Sequence, residues 1–198
     1  MIYSFLRNKY LPKNKILSIK YFSNQIVPAV FSQMLYNELV YIVHRKNILL
    51  SLACLKNHIK FQYKVLSCIS GVDFLNTNIG KTFRFGVVYD LLSINFKTRI
   101  RIKVFVNEIS KISSSIVVFV NANWWEREIW DMYGIWFEKH TDLRRILTDY
   151  GFDGFPLRKD FPLSGFIDVC YDSSRQGVIS RPLELTQEFR VFTVENNW

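Results

Sequence analysis

Residues 98–106 read Thr-Arg-Ile-Arg-Ile-Lys-Val-Phe-Val. Ile100, Ile102 and Val104 alternate with Arg99, Arg101 and Lys103. A helix would scatter these cations around its surface. A strand, with side chains pointing to opposite faces in turn, gathers every apolar group on one side. The chain must therefore build a sheet with one buried face and one basic, solvated face. Just upstream, 84–92 is rich in Phe, Val, Tyr and Leu and predicts a second strand. The link 93–97 is short enough for an antiparallel hairpin.

Residues 64–69 predict a further strand ended by Gly71-Val72-Asp73, and 39–43 is apolar and β-prone. Val30, Phe31, Met34 and Leu35 have helical spacing and predict a short helix near 28–37. Asn47 is placed to cap a helix running to about His58, with Leu50, Cys54 and Leu55 on one side. Residues 113–120 fit a strand or a helix. Asn121 or Asn123 then caps a helix ending at Gly134. Beyond it, Gly151, Gly154, Pro156, Pro162 and Gly165 interrupt regular structure. The same stretch holds Phe152, Phe155, Leu157, Phe161, Leu163 and Phe166, so an arm lying on another surface is expected. The organisation expected is a basic N-terminal extension at 1–26, an α+β domain at 27–134, and a partner-binding arm and tail at 135–198. The fold class is α+β: a small mixed or antiparallel sheet flanked by helices, with an extended Gly/Pro-punctuated C-terminal arm.

Hydrophobic residues make up 49% of the chain and aromatic ones 16%, enough for a packed core. No uncharged apolar run reaches the roughly 20 residues of a membrane-spanning helix. The net charge of +9 is uneven: +8 over residues 1–60, +5 over 61–120 and −4 over 121–198. A basic arm or face meeting something anionic is expected. The first 37 residues lack any acid and carry Arg7, Lys9, Lys13, Lys15 and Lys20, like an organelle transit peptide. The chain carries this segment from Met1, and its richness in Phe, Tyr, Ile, Asn and Lys fits an AT-rich coding sequence. Synthesis inside an organelle with the N-terminus retained is the expectation.

The motifs of cofactor chemistry are missing from the sequence. There is no GxGxxG, no GxxxxGK[ST], no HExxH and no GxSxG. Cys54, Cys68 and Cys170 are isolated, and an iron–sulfur cluster usually takes four thiolates. The dense segment is 124–133, Trp-Trp-Glu-Arg-Glu-Ile-Trp-Asp-Met-Tyr. Trp125, Ile129, Met132 and Tyr133 form one helical stripe. Trp130 lies off that stripe, so the helix is expected to be covered on several sides. Its charges should then be paired, with Arg127 and Asp131 as i,i+4 neighbours. A paired-carboxylate role for Glu126 or Glu128 lacks any accompanying substrate pattern. His140 reads as a packed or hydrogen-bonded turn residue. Arg144 and Arg145 are expected to pair with partner carboxylates or Asp149.

These residues carry a resemblance. The run 126–135, then His140, then 142–152 (Asp-Leu-Arg-Arg-Ile-Leu-Thr-Asp-Tyr-Gly-Phe) resembles the signature of the thirty-kilodalton subunit of proton-pumping NADH:ubiquinone oxidoreductase, respiratory complex I. Gly154 and 156–165 (Pro-Leu-Arg-Lys-Asp-Phe-Pro-Leu-Ser-Gly) continue the match, and upstream Gly71-Val72-Asp73, Arg84-Phe85 and Arg99-Ile100-Arg101 fit its sheet region. Pro182, Glu184 and 186–190 resemble its C-terminal segment. The mitochondrially encoded form is the nearest in kind. Thr141 stands where the family usually has Pro, and Cys170 where it commonly has Arg.

The resemblance implies a core subunit without an active site of its own, in the matrix-side peripheral arm at the mitochondrial inner membrane. It implies packing against the other complex I subunits, the forty-nine-kilodalton subunit above all, in support of the quinone-reducing module and electron transfer from NADH to ubiquinone. This chain would bind no cofactor or metal; FMN, iron–sulfur clusters and ubiquinone belong to other subunits. No nucleic-acid partner and no homo-oligomer are implied, and membrane association comes only through the complex. The signature and interface residues implied are Trp125, Glu126, Arg127, Glu128, Asp131, Gly134, His140, Arg144, Arg145, Asp149, Gly151, Pro156, Arg158, Lys159, Asp160 and Pro162. The competing reading is a basic organellar RNA-binding or ribosomal protein. Against it, the aromatics concentrate in the acidic third, whereas a nucleic-acid binder interleaves them with its cations.

Overall fold

The structure, a computed structural model, describes residues 26–35, 38–80, 82–185, 187, 189, 190 and 192. The basic extension expected at 1–26 lies outside these except for Ile26. The described residues divide into two compact units, the first ending at Asp160 and the second starting at Phe161.

The first unit is built on a five-stranded mixed sheet. Its strands are β1 (Ala29–Leu35), β2 (Glu38–Val43), β3 (Val65–Asp73), β4 (Phe85–Ser93) and β5 (Thr98–Val106), in the order β1-β2-β5-β4-β3. Only β2 and β5 run parallel; the other neighbours are antiparallel. The β4–β5 hairpin keeps one register from Phe85↔Val106 to Ser93↔Thr98. Its turn ends on Lys97 at φ 51. The alternation of β5 places Ile100, Ile102, Val104 and Val106 in the core. Beside them on the same face of the sheet lie Phe85, Val87, Tyr89 and Leu91 of β4 and Leu39, Tyr41 and Val43 of β2. Tyr63 closes one end: its hydroxyl lies 2.9 Å from Thr98 Oγ1, and burial pushes its pKa up to about 12.

The segment read as a helix near 28–37 is the edge strand β1. Its alternation is broken by a bulge between Ala29 and Phe31, and Val30 and Phe31 both stand exposed. The helix after Asn47 exists as α1 (Ile48–Asn57), but its buried face is Ile48, Ser51, Leu52 and Leu55, with Leu50 exposed. Ile48, Leu52 and Leu55 at i, i+4 and i+7 form the apolar stripe.

The second helix, α2 (Ala122–Tyr133), ends on Gly134, which takes the left-handed conformation at φ 74 and donates its N–H to Trp130 O at 2.9 Å. A left-handed residue closing a helix is the usual place for glycine. Asn121 precedes the helix without a side-chain cap; its Nδ2 instead donates to Leu66 O on β3 at 2.8 Å. Two short parallel strands, β6 (Ile112–Ser113) and β7 (Phe137–Glu138), then bring the chain after α2 back alongside the chain before it. Residues 135–160 belong to the first compact unit, not to a separate arm as expected, and hydrogen bonds to Asp131 and Tyr133 of α2 and to Asp73 of β3 hold 146–159 there.

The second unit carries a hairpin of β8 (Ile167–Asp172) and β9 (Gly177–Pro182). A turn held by Gly165 N–H on Pro162 O (3.0 Å) leads into it, with Phe161 and Phe166 in edge contact at 5.4 Å.

Candidate functional site

Several of the expected interface residues gather where α2, the loop after β7 and the end of β3 meet. Glu126 is fully buried on α2. Its Oε1 accepts from Ser115 N–H (2.7 Å) and Ser115 Oγ–H (2.6 Å), and its Oε2 from Ser114 Oγ–H (2.6 Å). The β6–β7 pairing delivers both serines: Ser114 N–H donates to Glu138 O at 2.9 Å. The His140 ring, also buried, lies 3.8 Å from Glu126 Oε2. Its Nδ1 accepts from Asp142 N–H at 3.0 Å and its Nε2 faces Asn123 O at 3.4 Å, which makes it the turn residue expected. Burial raises the pKa of Glu126, outweighing the serine donors.

Asp131, also fully buried, does a different job. Its Oδ2 accepts from the backbone N–H groups of Ile146 (3.1 Å), Leu147 (2.7 Å) and Thr148 (3.0 Å), and its Oδ1 from Thr148 Oγ–H (2.7 Å). Arg145 Nη1 stands 3.4 Å from Oδ1 and also donates to Gly154 O at 3.0 Å. Burial by itself would raise the Asp131 pKa; the converging donors overcome it and leave the carboxyl below its ordinary range. The expected Arg127–Asp131 pair is replaced. Arg127 Nε donates to Arg144 O at 3.2 Å, and its guanidinium lies over Trp124. Arg144 is exposed and pairs with Asp142 at 3.0 Å, while Asp149 accepts from Tyr150 N–H, so neither arginine uses Asp149.

The stretch 155–160 closes over the end of α2. Leu157 N–H donates to Met132 O at 3.2 Å and Arg158 Nε to Tyr133 O at 2.7 Å, so two carbonyls at the helix C-terminus gain partners. Arg158 lies over the rings of Phe155 and Phe85, and burial beside Arg84 lowers its pKa. Half-buried Pro156 leads into this turn. Gly134 has Phe155 and Arg158 directly over it: an added Cβ would meet both at 2.6 Å. Gly151, also at positive φ, faces open space.

Sequence reasoning missed three members of this network. Buried Asp73 accepts from Leu75 N–H (2.9 Å) and Lys159 N–H (3.0 Å) and faces Arg84 Nη2 at 3.5 Å. Arg84 also binds Asp160 at 2.6 Å and contacts Glu108. The donors outweigh burial and lower the Asp73 pKa. Gly71-Val72-Asp73 and Arg84-Phe85 were legible only as sheet residues; nothing in their spacing points to 159 or 160. Glu128, expected to be paired, has no hydrogen-bond or ion-pair partner among the described residues; with Trp125 it lines a groove beside β3. Pro162 falls in the second unit.

Fold and site define a small α+β scaffold whose buried carboxylates pin loops against a helix and a sheet edge. The family model for the 30 kDa subunit of respiratory-chain NADH dehydrogenase matches residues 41–167. NADH-ubiquinone oxidoreductase subunit 9 of Reclinomonas americana is 44% identical over 192 residues, 97% of this chain and 91% of that one. NADH dehydrogenase [ubiquinone] iron-sulfur protein 3 of Arabidopsis thaliana is 50% identical over 151 residues, covering 76% and 77%. Among solved structures, the trypsin-resistant fragment of Nqo5 aligns with TM-score 0.54 at 26% identity, over 65% of this chain and 99% of the fragment. A chain of the archaeal membrane-bound sulfane sulfur reductase shares the fold at TM-score 0.63 and 20% identity, over 74% of this chain and 85% of that one. The chain belongs to the thirty-kilodalton subunit family of respiratory complex I.

One relative's name includes iron–sulfur. The donor set here does not fit a cluster: the chain has only three cysteines, spread over α1, β3 and β8. Among the described residues no group of three or more His, Cys, Asp or Glu side chains is placed to hold a metal ion.

Proposed function

We propose that the chain is a structural core subunit of proton-pumping NADH:ubiquinone oxidoreductase, without a reaction centre of its own. In this reading it sits in the matrix-side peripheral arm at the mitochondrial inner membrane, packs against the forty-nine-kilodalton subunit, and supports the quinone-reducing module. FMN, the clusters and ubiquinone are held by other subunits. No helix among the described residues is long and apolar enough to cross a membrane, in keeping with attachment through partners.

The observation that carries the docking role lies in the second unit. Ile167, Val169, Tyr171 and Val178 share one face of the β8–β9 hairpin, and each is more than half exposed. The other face pairs its own charges, Asp168 with Arg181 at 3.2 Å. A lone two-stranded hairpin is marginal in water, and contiguous exposed apolar side chains mark interaction surfaces. The hairpin therefore gains its stability by lying on another chain. Native affinity purification of the tagged chain tests this: the forty-nine-kilodalton subunit should co-purify in the inner-membrane fraction, and the chain alone should not oxidise NADH. Recovery as a free monomer, without complex I subunits, contradicts the reading.

A further inference from the structure

A groove of about 190 Å³ runs between α2 and β3 in the first unit. Ile69 and Gly71 form one wall, and Trp125, Met132 and Tyr133 the other; Glu128 stands at its polar side. The groove is too small for a drug-sized ligand, which needs about 300–1,000 Å³. It is large enough for one apolar side chain, since an apolar cavity of roughly 150 Å³ accepts a benzene ring.

Two further features say what kind of group enters. Strand β3 pairs with β4 on one side and with none of the described strands on the other. Asn121 already occupies the carbonyl of Leu66, so the open stretch of this edge is 68–71, directly beside the groove. An edge of this kind is where an extended segment of another chain adds on, its alternate side chains entering adjacent pockets. The second feature is charge. Glu126, Asp131 and Asp73 are all satisfied by donors within the fold. Glu128 is the one buried or half-buried carboxylate among the described residues for which no hydrogen bond or ion pair exists. A half-covered carboxylate left unpaired beside an apolar groove is complementary to a cation.

We propose that this groove is a second docking site, independent of the β8–β9 hairpin. Its occupant is an extended segment of a neighbouring subunit that inserts one large apolar side chain between β3 and α2 and places a flanking Lys or Arg on Glu128. The inference rests on the chain being a complex subunit, and its test separates the two. A photoreactive phenylalanine analogue replaces exposed Ser70 in the full chain, and the assembled complex is irradiated and digested. The result expected is a cross-link to another subunit, in a peptide with a Lys or Arg next to a large apolar residue. In parallel, Glu128→Lys should lower the amount of chain in the complex at least about tenfold and Glu128→Gln by less. The thermal midpoint of the isolated chain should stay unchanged in both. A complex that contains the chain at normal level in both variants, with no cross-link from position 70, overturns the groove and leaves the subunit reading standing. A cross-link only within the chain overturns it equally, by assigning the groove to the chain's own segment. Absence of the wild-type chain from any complex removes both.

Discussion

Asp73 and Lys159 lie 86 residues apart in sequence, yet Lys159 N–H donates to Asp73 Oδ2 at 3.0 Å. With Arg84 reaching both Asp73 and Asp160, this contact ties the end of β3 to the last residues of the first unit. Asp73→Ala should therefore release 155–160 before it unfolds the sheet. Leaving the donors unmatched should cost roughly 1–3 kcal/mol locally. Hydrogen exchange at the amides of Leu157 and Lys159 should accelerate while the amides of β4 and β5 keep their protection.

Asp131 and Arg145 form an ion pair, but the two partners are not equivalent. Asp131 is buried and receives three backbone N–H groups besides the arginine, whereas Arg145 is partly exposed and keeps Gly154 O as a second partner. Asp131→Ala should cost roughly 3–5 kcal/mol, the range for breaking a buried charged network. Arg145→Ala should cost about 1–2 kcal/mol, because the N–H groups still satisfy the carboxylate. Urea unfolding of both variants checks the order. Each should reduce the amount of assembled complex before it changes turnover per complex.

The buried carboxyls make opposite contributions to the pH dependence of stability. The raised pKa of Glu126 means that its contribution is full below its ordinary value of 4.5 and is lost as pH rises through the folded value. Asp73 and Asp131 have lowered values, so their contributions are present above 3.8 and are lost as pH falls through the folded values. Glu126→Gln keeps the shape, and Ser114 Oγ can turn to accept from the new amide. The variant should lose the decline on the alkaline side and keep the acid limb. Urea midpoints between about pH 3 and about pH 8 test the sign.

Gly134 and Gly151 share a positive φ but not their surroundings. Either change to Ala imposes about 1–2 kcal/mol of backbone strain. Only Gly134→Ala also drives a Cβ into Phe155 and Arg158. Gly134→Ala should therefore destabilise distinctly more than Gly151→Ala in thermal unfolding, by about 1–3 kcal/mol of overpacking.

Much of the sheet was legible because β5 alternates between a buried apolar face and a basic one, and β4 is dense in Phe, Val, Tyr and Leu. β1 was not. Its bulge breaks the alternation: Val30 and Phe31, adjacent in sequence, both stand exposed, while Ala29 and Met34 pack against the core. The helix α2 and its glycine stop were visible from spacing, but the partners of its acids were not. The donors to Glu126 lie 11 and 12 residues upstream in irregular chain, and those to Asp131 lie 14 to 17 residues downstream. Local periodicity cannot see contacts that a loop must travel to make. For the same reason 135–160 read as part of an arm lying on a partner: its Gly and Pro residues announce irregular backbone but not the carboxylates that hold it.

The proposed docking role rests on the exposed face of the β8–β9 hairpin. The most direct test is the pair of substitutions Val169→Asp and Tyr171→Asp on the exposed hairpin face, followed by native-gel quantification of the complex and NADH:ubiquinone turnover per assembled complex. At least an order of magnitude less complex is expected, with turnover per remaining complex unchanged. A normal amount of complex with reduced turnover per complex would contradict the docking role.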